Sequence, residues 1–179
     1  MPSPDFINTK EKLAEIIRVD HAGEYGAKRI YQGQLKHCQN RKDHNLIKDM
    51  LLHEQVHLDY FNDQLIQRKI RPTFLMPLWH HLGYAVGAIS SLVGPKMAML
   101  VTEAVECVIE GHYERQLDYL KDNDREQELF DNIKHFQDEE VNHKNIALKH
   151  GSSSVNCSRE VSFIIKTACT IAINLSKKI

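Results

Sequence analysis

The chain has 179 residues, of which 42% are hydrophobic and 26% charged. This is enough for one globular domain with a sizeable core, and we expect a single domain over residues 1–179. With 23 basic and 24 acidic side chains the net charge is −1, so no global charge favours binding to nucleic acid. The four cysteines are widely spaced and include no Cys-x-x-Cys pair, which argues against a disulfide framework or a thiolate metal site.

The N-terminal region, residues 1–12, contains no apolar segment, so we expect no secretory signal peptide. No run of about 20 uninterrupted apolar residues occurs either, which argues against a membrane-spanning helix. These features favour a bacterial cytoplasmic protein or a processed organellar protein.

The first predicted helix carries a carboxylate on its apolar face. An Asn-x-x-Glu capping-box pattern predicts that this helix covers residues 8–38. Glu24 falls in the middle of its apolar stripe, with Asp20 beside it. Gly23 and Gly26 flank Glu24, which is unusual inside a helix and predicts the close approach of another element.

The second predicted helix ends before Pro72 and contains the sequence His53-Glu54-Gln55-Val56-His57. This sequence matches the zinc-protease motif His-Glu-x-x-His, in which both histidines bind the metal. It also contains Glu54-x-x-His57, which places a carboxylate and an imidazole on one side of a helix. Glu54 lies at the centre of the apolar stripe and His53 lies towards its flank, which favours the second interpretation.

Two later helices repeat this arrangement. In the helix predicted over residues 96–120, Glu106 is the glutamate nearest the centre of the apolar stripe. A fourth long helix, ending near residue 150, has Glu140 at the centre of its stripe and His143 three residues later. The neighbouring Glu139 points about 100° away from that stripe.

Two further segments are apolar. Residues 74–95 contain Trp79 and Tyr84 and almost no charge, which fits a crossover helix over a bundle, a segment in contact with lipid, or both. Residues 161–178 form an amphipathic helix that either packs on the bundle or lies on a membrane surface.

Four glutamates buried in a helical core require cations, because desolvation and mutual repulsion would otherwise be too costly. The order Glu, Glu-x-x-His, Glu, Glu-x-x-His is the ligand set of ferritin-like di-iron or di-manganese four-helix bundles. The glutamates of the two Glu-x-x-His pairs are the expected bridging ligands. The zinc-protease alternative leaves four of the six inward residues without a role. The predicted metal ligands are Glu24, Glu54, His57, Glu106, Glu140 and His143.

The chain also resembles a known family. The motifs that carry the resemblance are RVDHAGEYGA at residues 18–27, RPTFLMPLW at 71–79, AVE at 104–106, HY at 112–113 and DEEVNH at 138–143. They are similar to those of the demethoxyubiquinone hydroxylase family of ubiquinone biosynthesis, and the similarity covers residues 15–178.

The resemblance implies an all-α, ferritin-like four-helix bundle with a crossover helix and a C-terminal amphipathic helix. It implies a monooxygenase that uses two iron ions and O2 to hydroxylate the ring of a polyprenyl demethoxyquinol. The family's iron ligands correspond to the same six residues. The chain has no Gly-x-Gly-x-x-Gly fingerprint, so the electrons would come from outside the chain. The external electron donor would be a reductase, a transiently bound nicotinamide or the quinol itself.

The resemblance further implies peripheral association with a membrane. We expect the cytoplasmic face of the bacterial membrane, or the matrix face of the inner mitochondrial membrane, with a reductase or a quinone-synthesis complex as partner. The remaining alternatives are a ferritin-like iron-binding protein without turnover and a lipid-bound scaffold with a structural metal.

Two residues near the predicted ligands are candidates for supporting roles. Asp20 lies on the Glu24 face and is predicted to accept a hydrogen bond from a ligand histidine. Tyr113 lies one heptad beyond Glu106 and is either a proton or electron relay or a core aromatic residue with a satisfied hydroxyl group.

Overall fold

The computed structural model describes residues 4–121 and 126–177. Within these residues the secondary structure is helical, which confirms the predicted all-α class. The first helix begins at Pro4, so Asn8 lies inside the helix and is not its N-cap. The predicted turn after residue 120 and the end of the predicted last helix lie partly outside the described residues. The α-helices are α1 (Pro4–His37), α2 (Arg41–Arg68), α3 (Met76–Val93), α4 (Pro95–Leu120), α5 (Gln127–Lys149) and α6 (Ser158–Ser176).

The four long helices α1, α2, α4 and α5 form the bundle, in which α1 packs on α2 and α4 packs on α5. Two apolar clusters fill its core, and the inward glutamates lie between them along every helix. One cluster contains Leu13, Ile17, Phe61, Leu65, Tyr113, Leu117, Ile133 and Phe136. The other contains Tyr31, Ile47, Met50, Met99 and Ala147. The apolar layers therefore isolate the middle of the bundle from water at both ends.

Helix α3 crosses over the bundle along α1, as the crossover prediction required. Glycines on α3 permit the close contact: a Cβ atom at Gly83 would lie 2.9 Å from the carbonyl oxygen of Gly26, and one at Gly87 would overlap the backbone of Ile30. Another element therefore approaches α1 closely at Gly26, as predicted, but the glycines of α3 rather than Gly23 and Gly26 make room for it. A Cβ atom at either position would meet no atom within 4 Å among the described residues.

Helix α6 packs mainly on α4 and is joined to α3 near its C-terminal end. Trp79 Nε1 of α3 donates a hydrogen bond to Ser176 Oγ over 3.1 Å. Arg18 of α1 donates to the carbonyl oxygen of Lys177, just after α6 ends. Helices α3 and α6 thus form a second layer over α1 and α4. Among the described residues, no helix is both long and apolar enough to cross a membrane.

Candidate metal centre

The structure brings all six predicted ligands together in the middle of the bundle. They form two groups in which the potential ligand atoms lie within 4.8 Å of one another. Two glutamates, Glu54 and Glu140, belong to both groups. This arrangement matches the expectation that the glutamates of the Glu-x-x-His pairs are the shared ligands. The first group is Glu24, Glu54, His57 and Glu140, and the second is Glu54, Glu106, Glu140 and His143.

Both histidines direct the same ring nitrogen towards the glutamates. Nδ1 of His57 lies 3.3 Å from Oε2 of Glu24 and 3.1 Å from Oε1 of Glu140. Nδ1 of His143 lies 3.3 Å from Oε1 of Glu54 and 3.1 Å from Oε2 of Glu140. Each histidine therefore directs Nδ1 at the carboxylates, where a metal ion would replace these contacts, and directs Nε2 away from the centre.

Burial and mutual repulsion perturb these groups strongly. Burial, together with the charge of Glu140, raises the pKa of Glu54 and of Glu106 well above the ordinary value. Burial lowers the pKa of His57, but hydrogen bonds to Glu140 and Glu24 outweigh it and raise this pKa to about 12. Burial likewise raises the pKa of Glu140, but His143 and His57 outweigh it and lower this pKa. Without a cation, the centre therefore holds extra protons to balance its carboxylates.

The carboxylates retain unused acceptor atoms, which is the observation that a metal ion would explain. Oε2 of Glu54 and Oε2 of Glu106 are buried and have no hydrogen-bond partner among the described residues. Buried polar atoms are nearly always paired, and a carboxylate oxygen that lacks a donor is available to a cation. The donor set of carboxylate oxygens and imidazole nitrogens suits iron and manganese. The buried cluster is therefore able to bind metal.

Two tyrosines hold the outer glutamates in a pattern with approximate two-fold symmetry. Tyr31 of α1 donates to Oε1 of Glu106 on α4 over 2.5 Å, and Tyr113 of α4 donates to Oε1 of Glu24 on α1. Each tyrosine lies one heptad after the glutamate of its own helix and reaches the glutamate of the other helix. The relay role of Tyr113 stays a prediction. Sequence reasoning missed Tyr31, although the heptad that marked Tyr113 also marks it.

The outward nitrogens of the histidines also have partners, and these were missed. Nε2 of His57 lies 2.7 Å from Oε2 of Glu139, and Nε2 of His143 lies 3.0 Å from Nδ1 of His53. The rings of His53 and His143 are stacked, with their centroids 5.3 Å apart. Each partner directly precedes the glutamate of its own Glu-x-x-His pair and reaches the histidine of the opposite helix. That shared position was the available signal.

Asp20 was predicted to accept a hydrogen bond from a ligand histidine, but the structure places it elsewhere. Its Oδ1 accepts a hydrogen bond from Gln116 over 2.6 Å and lies 3.5 Å from Nε2 of His112. Asp20 is on the correct helical face, but Glu24 lies one turn away along the axis. The zinc-protease alternative is also disfavoured, because neither metal group includes His53.

An apolar cavity of about 360 Å³ lies beside the metal groups, between α1 and α4 on one side and α3 and α6 on the other. Gly23 and Val105, which precede Glu24 and Glu106, line its inner end, and Gly26 contributes open space because it has no side chain. Cys169 of α6 also lines the cavity. Burial, with a smaller contribution from the charge of Glu106, raises the pKa of the Cys169 thiol to about 11. The lining thus contains the helix neighbours of Glu24 and Glu106 but none of the six ligands themselves, which places the cavity alongside the metal centre.

The comparisons with known proteins agree with this geometry. The model of the family described as ubiquinone biosynthesis protein COQ7 matches residues 11–176. The chain belongs to this COQ7 family. It is 43% identical over 173 residues to the human NADPH-dependent 3-demethoxyubiquinone 3-hydroxylase, mitochondrial, covering 96% of this chain and 80% of that protein.

Two other COQ7-family relatives are similar over comparable lengths. The Dictyostelium discoideum protein with the same name is 41% identical over 176 residues, covering 95% of this chain and 81% of that protein. The 3-demethoxyubiquinol 3-hydroxylase of Rhodospirillum rubrum is 41% identical over 179 residues, covering 99% and 81%. The predicted resemblance, the ferritin-like fold and the prediction of a hydroxylase are confirmed.

Metal binding to this centre should release protons and should strengthen as the pH rises. His57, with a pKa of about 12, is protonated at neutral pH without metal and loses that proton on coordination. The raised pKa values of Glu54 and Glu106 mean that these carboxyl groups also hold protons to higher pH than usual and release them to a metal ion. Calorimetric Mn²⁺ titrations in buffers of different ionisation enthalpy measure the proton release directly. Binding that is independent of pH between about 6 and 8, without proton release, would contradict this electrostatic account.

Proposed function

We propose that this chain is a di-iron monooxygenase that uses O2 to hydroxylate the ring of a polyprenyl demethoxyubiquinol at a membrane surface. The apolar cavity that ends beside the buried glutamates and histidines carries this proposal, because it joins a space for an apolar substrate to a site for redox-active metal. The names of the relatives supply the substrate class.

The two metal groups divide the ligands between two ions. Glu24 and His57 would bind one ion, Glu106 and His143 the other, and Glu54 and Glu140 both. Two iron ions held in this way supply the redox chemistry that activates O2 for insertion into the ring. The prediction of two irons rests on the family and on this donor set.

The protein's own residues position the ligands and exclude water. Tyr31 and Tyr113 fix the outer glutamates by donating hydrogen bonds to them. Burial, and next the charge of Glu106, raises the pKa of Tyr31 well above the ordinary value. Burial, and next the charge of Glu24, does the same for the pKa of Tyr113, so both hydroxyl groups remain hydrogen-bond donors. The apolar walls of the cavity would hold the quinol ring and the first part of its tail beside the ligands.

The electron donor is proposed to be a nicotinamide or a reductase that binds transiently. Several relatives are named NADPH-dependent, and this chain lacks the glycine-rich fingerprint of a permanently bound dinucleotide.

Membrane association is supported by the outer surface of α3 and α6. Helix α3 contains no Asp, Glu, Lys or Arg, and its exposed side chains include Ile89, Leu92 and Val93. Helix α6 exposes Phe163 and Ile164 in addition. Because exposed apolar side chains grouped on a helix face are typical of interaction sites, this face is proposed to lie on lipid.

The cavity would open towards the same face. Leu82 lines the cavity and is also half-exposed on α3, so a polyprenyl tail could extend from the cavity into lipid without crossing water. The membrane is proposed to be the bacterial cytoplasmic membrane or the inner mitochondrial membrane, since the relatives include a Rhodospirillum rubrum protein and proteins named as mitochondrial.

A side chain that fills the cavity should stop hydroxylation without removing iron. In Gly26→Leu the new side chain enters the cavity, and we expect the turnover of demethoxyubiquinol to fall at least tenfold, while the iron content stays at about two per chain. The assay supplies O2, a short-chain demethoxyubiquinol and NADPH with a reductase, and measures the hydroxylated quinol.

Gly111→Leu is the matched control, because a Cβ there approaches only the end of Arg115 and does not line the cavity. Unchanged turnover in Gly26→Leu would show that the cavity does not hold the substrate. Failure of the iron-loaded wild-type protein to form any hydroxylated product would overturn the proposed function.

A charge placed on the apolar face should release the protein from lipid. Ile164 is 64% exposed on α6, and Ile164→Asp should reduce sedimentation with liposomes of phosphatidylethanolamine and phosphatidylglycerol severalfold. Ile66→Asp, at a site 76% exposed on α2, makes the same change on another face and should have no effect. Equal losses in both variants, or none in either, would contradict this orientation.

A further inference from the structure

The two metal positions differ in the outer partner of their histidine, although the rest of the centre is nearly symmetric. The glutamate of α1 corresponds to that of α4, the two tyrosines correspond, and the two Glu-x-x-His pairs correspond. The exception is the residue that precedes each pair. It is the carboxylate Glu139 in α5 and the imidazole His53 in α2.

The contacts are crosswise, so each partner acts on the opposite helix. Oε2 of Glu139 lies 2.7 Å from Nε2 of His57, and His135 Nε2 lies 3.7 Å from the same oxygen. Nδ1 of His53 lies 3.0 Å from Nε2 of His143 and, more distantly, 3.9 Å from Oε1 of Glu139. His57 therefore has a carboxylate behind it, whereas His143 has a second histidine behind it.

These two partners strengthen a metal ligand to different degrees. A histidine that binds metal through Nδ1 carries its proton on Nε2 and donates it outward. A charged carboxylate accepts this hydrogen bond more strongly than a neutral group does, and so makes the imidazole a better electron donor. His53 can accept the corresponding bond only as the neutral tautomer that has its lone pair on Nδ1.

Solvent exposure adds to the difference. The side chain of His53 is 43% exposed, whereas that of Glu139 is 27% exposed. A hydrogen bond at the more exposed side competes more with water and holds the ring less firmly. Both effects weaken the His143 position relative to the His57 position.

We propose that Glu139 and His53 are positioning residues that make the two metal ions unequal: the ion at His57 is bound tightly and the ion at His143 exchanges more readily. The inference rests on the proposed di-iron centre. Its consequence is a stable form of the protein that holds one ion, at Glu24 and His57, before the second ion binds.

Chelator-driven release of iron tests this inference. The anaerobic protein is loaded with Fe²⁺, its content is measured, and the chromogenic chelator ferrozine is added in excess. The wild-type protein should lose one iron in a fast phase and one in a phase at least tenfold slower. Glu139→Gln removes the charge 2.7 Å from Nε2 of His57 and should accelerate the slow phase by about tenfold to a hundredfold. The fast phase should change much less, because His53 lies 3.9 Å from Glu139.

Two further variants make the assignment specific. His53→Ala should accelerate only the fast phase, and it tests the inference independently if Glu139→Gln fails to fold. Asp138→Asn is the matched control, because Asp138 is adjacent to Glu139 but faces solvent and pairs with Lys134, so both phases should be unchanged.

The outcomes separate this inference from the proposed function. A chain that binds no iron would overturn both. Two irons released from the wild-type protein in one phase would overturn only the inference, as would a Glu139→Gln variant in which the slow phase is unchanged. Acceleration of the slow phase by His53→Ala would contradict the assignment of the phases.

Discussion

The structure depends on one electrostatic constraint: four glutamates, one from each long helix, occupy the dry centre of a four-helix bundle. Glu24, Glu54, Glu106 and Glu140 are each at most 1% exposed. Such a group of like charges is strongly unfavourable in a low-dielectric interior, and protonation or cations must balance it. The raised pKa values of Glu54 and Glu106 favour protonation of these carboxylates. The unpaired oxygens of the same two residues are available to bind a cation.

The remaining architecture follows from the need to keep this centre dry and fixed. Apolar clusters close the bundle on both sides of the ligands, and the tyrosines and outer partners hold the ligands in place. Helices α3 and α6 add the second layer, which creates an apolar space at the edge of the centre. A ferritin-like bundle alone would place the metal, whereas this second layer adds the cavity and the apolar outer face.

The sequence predicted the helices and the inward glutamates well, because helical periodicity determines which side of a helix a residue occupies. Periodicity gives the angular position of a residue around its helix. It does not show which residues of neighbouring helices lie at the same level along the bundle, or how far a side chain extends. Asp20 was therefore assigned to a ligand histidine, although its height along α1 brings it to Gln116. His53 and Glu139 were set aside because they point away from the centre of each stripe, yet their side chains reach across to neighbouring helices.

The central claim is that the buried glutamates and histidines bind two iron ions. X-ray diffraction from crystals of the iron-loaded protein, recorded on both sides of the iron absorption edge, tests it most directly. We expect two anomalous peaks per chain, one bounded by Glu24 and His57 and one by Glu106 and His143, with Glu54 and Glu140 between them. A fully loaded crystal with no iron peak among these residues would contradict the account.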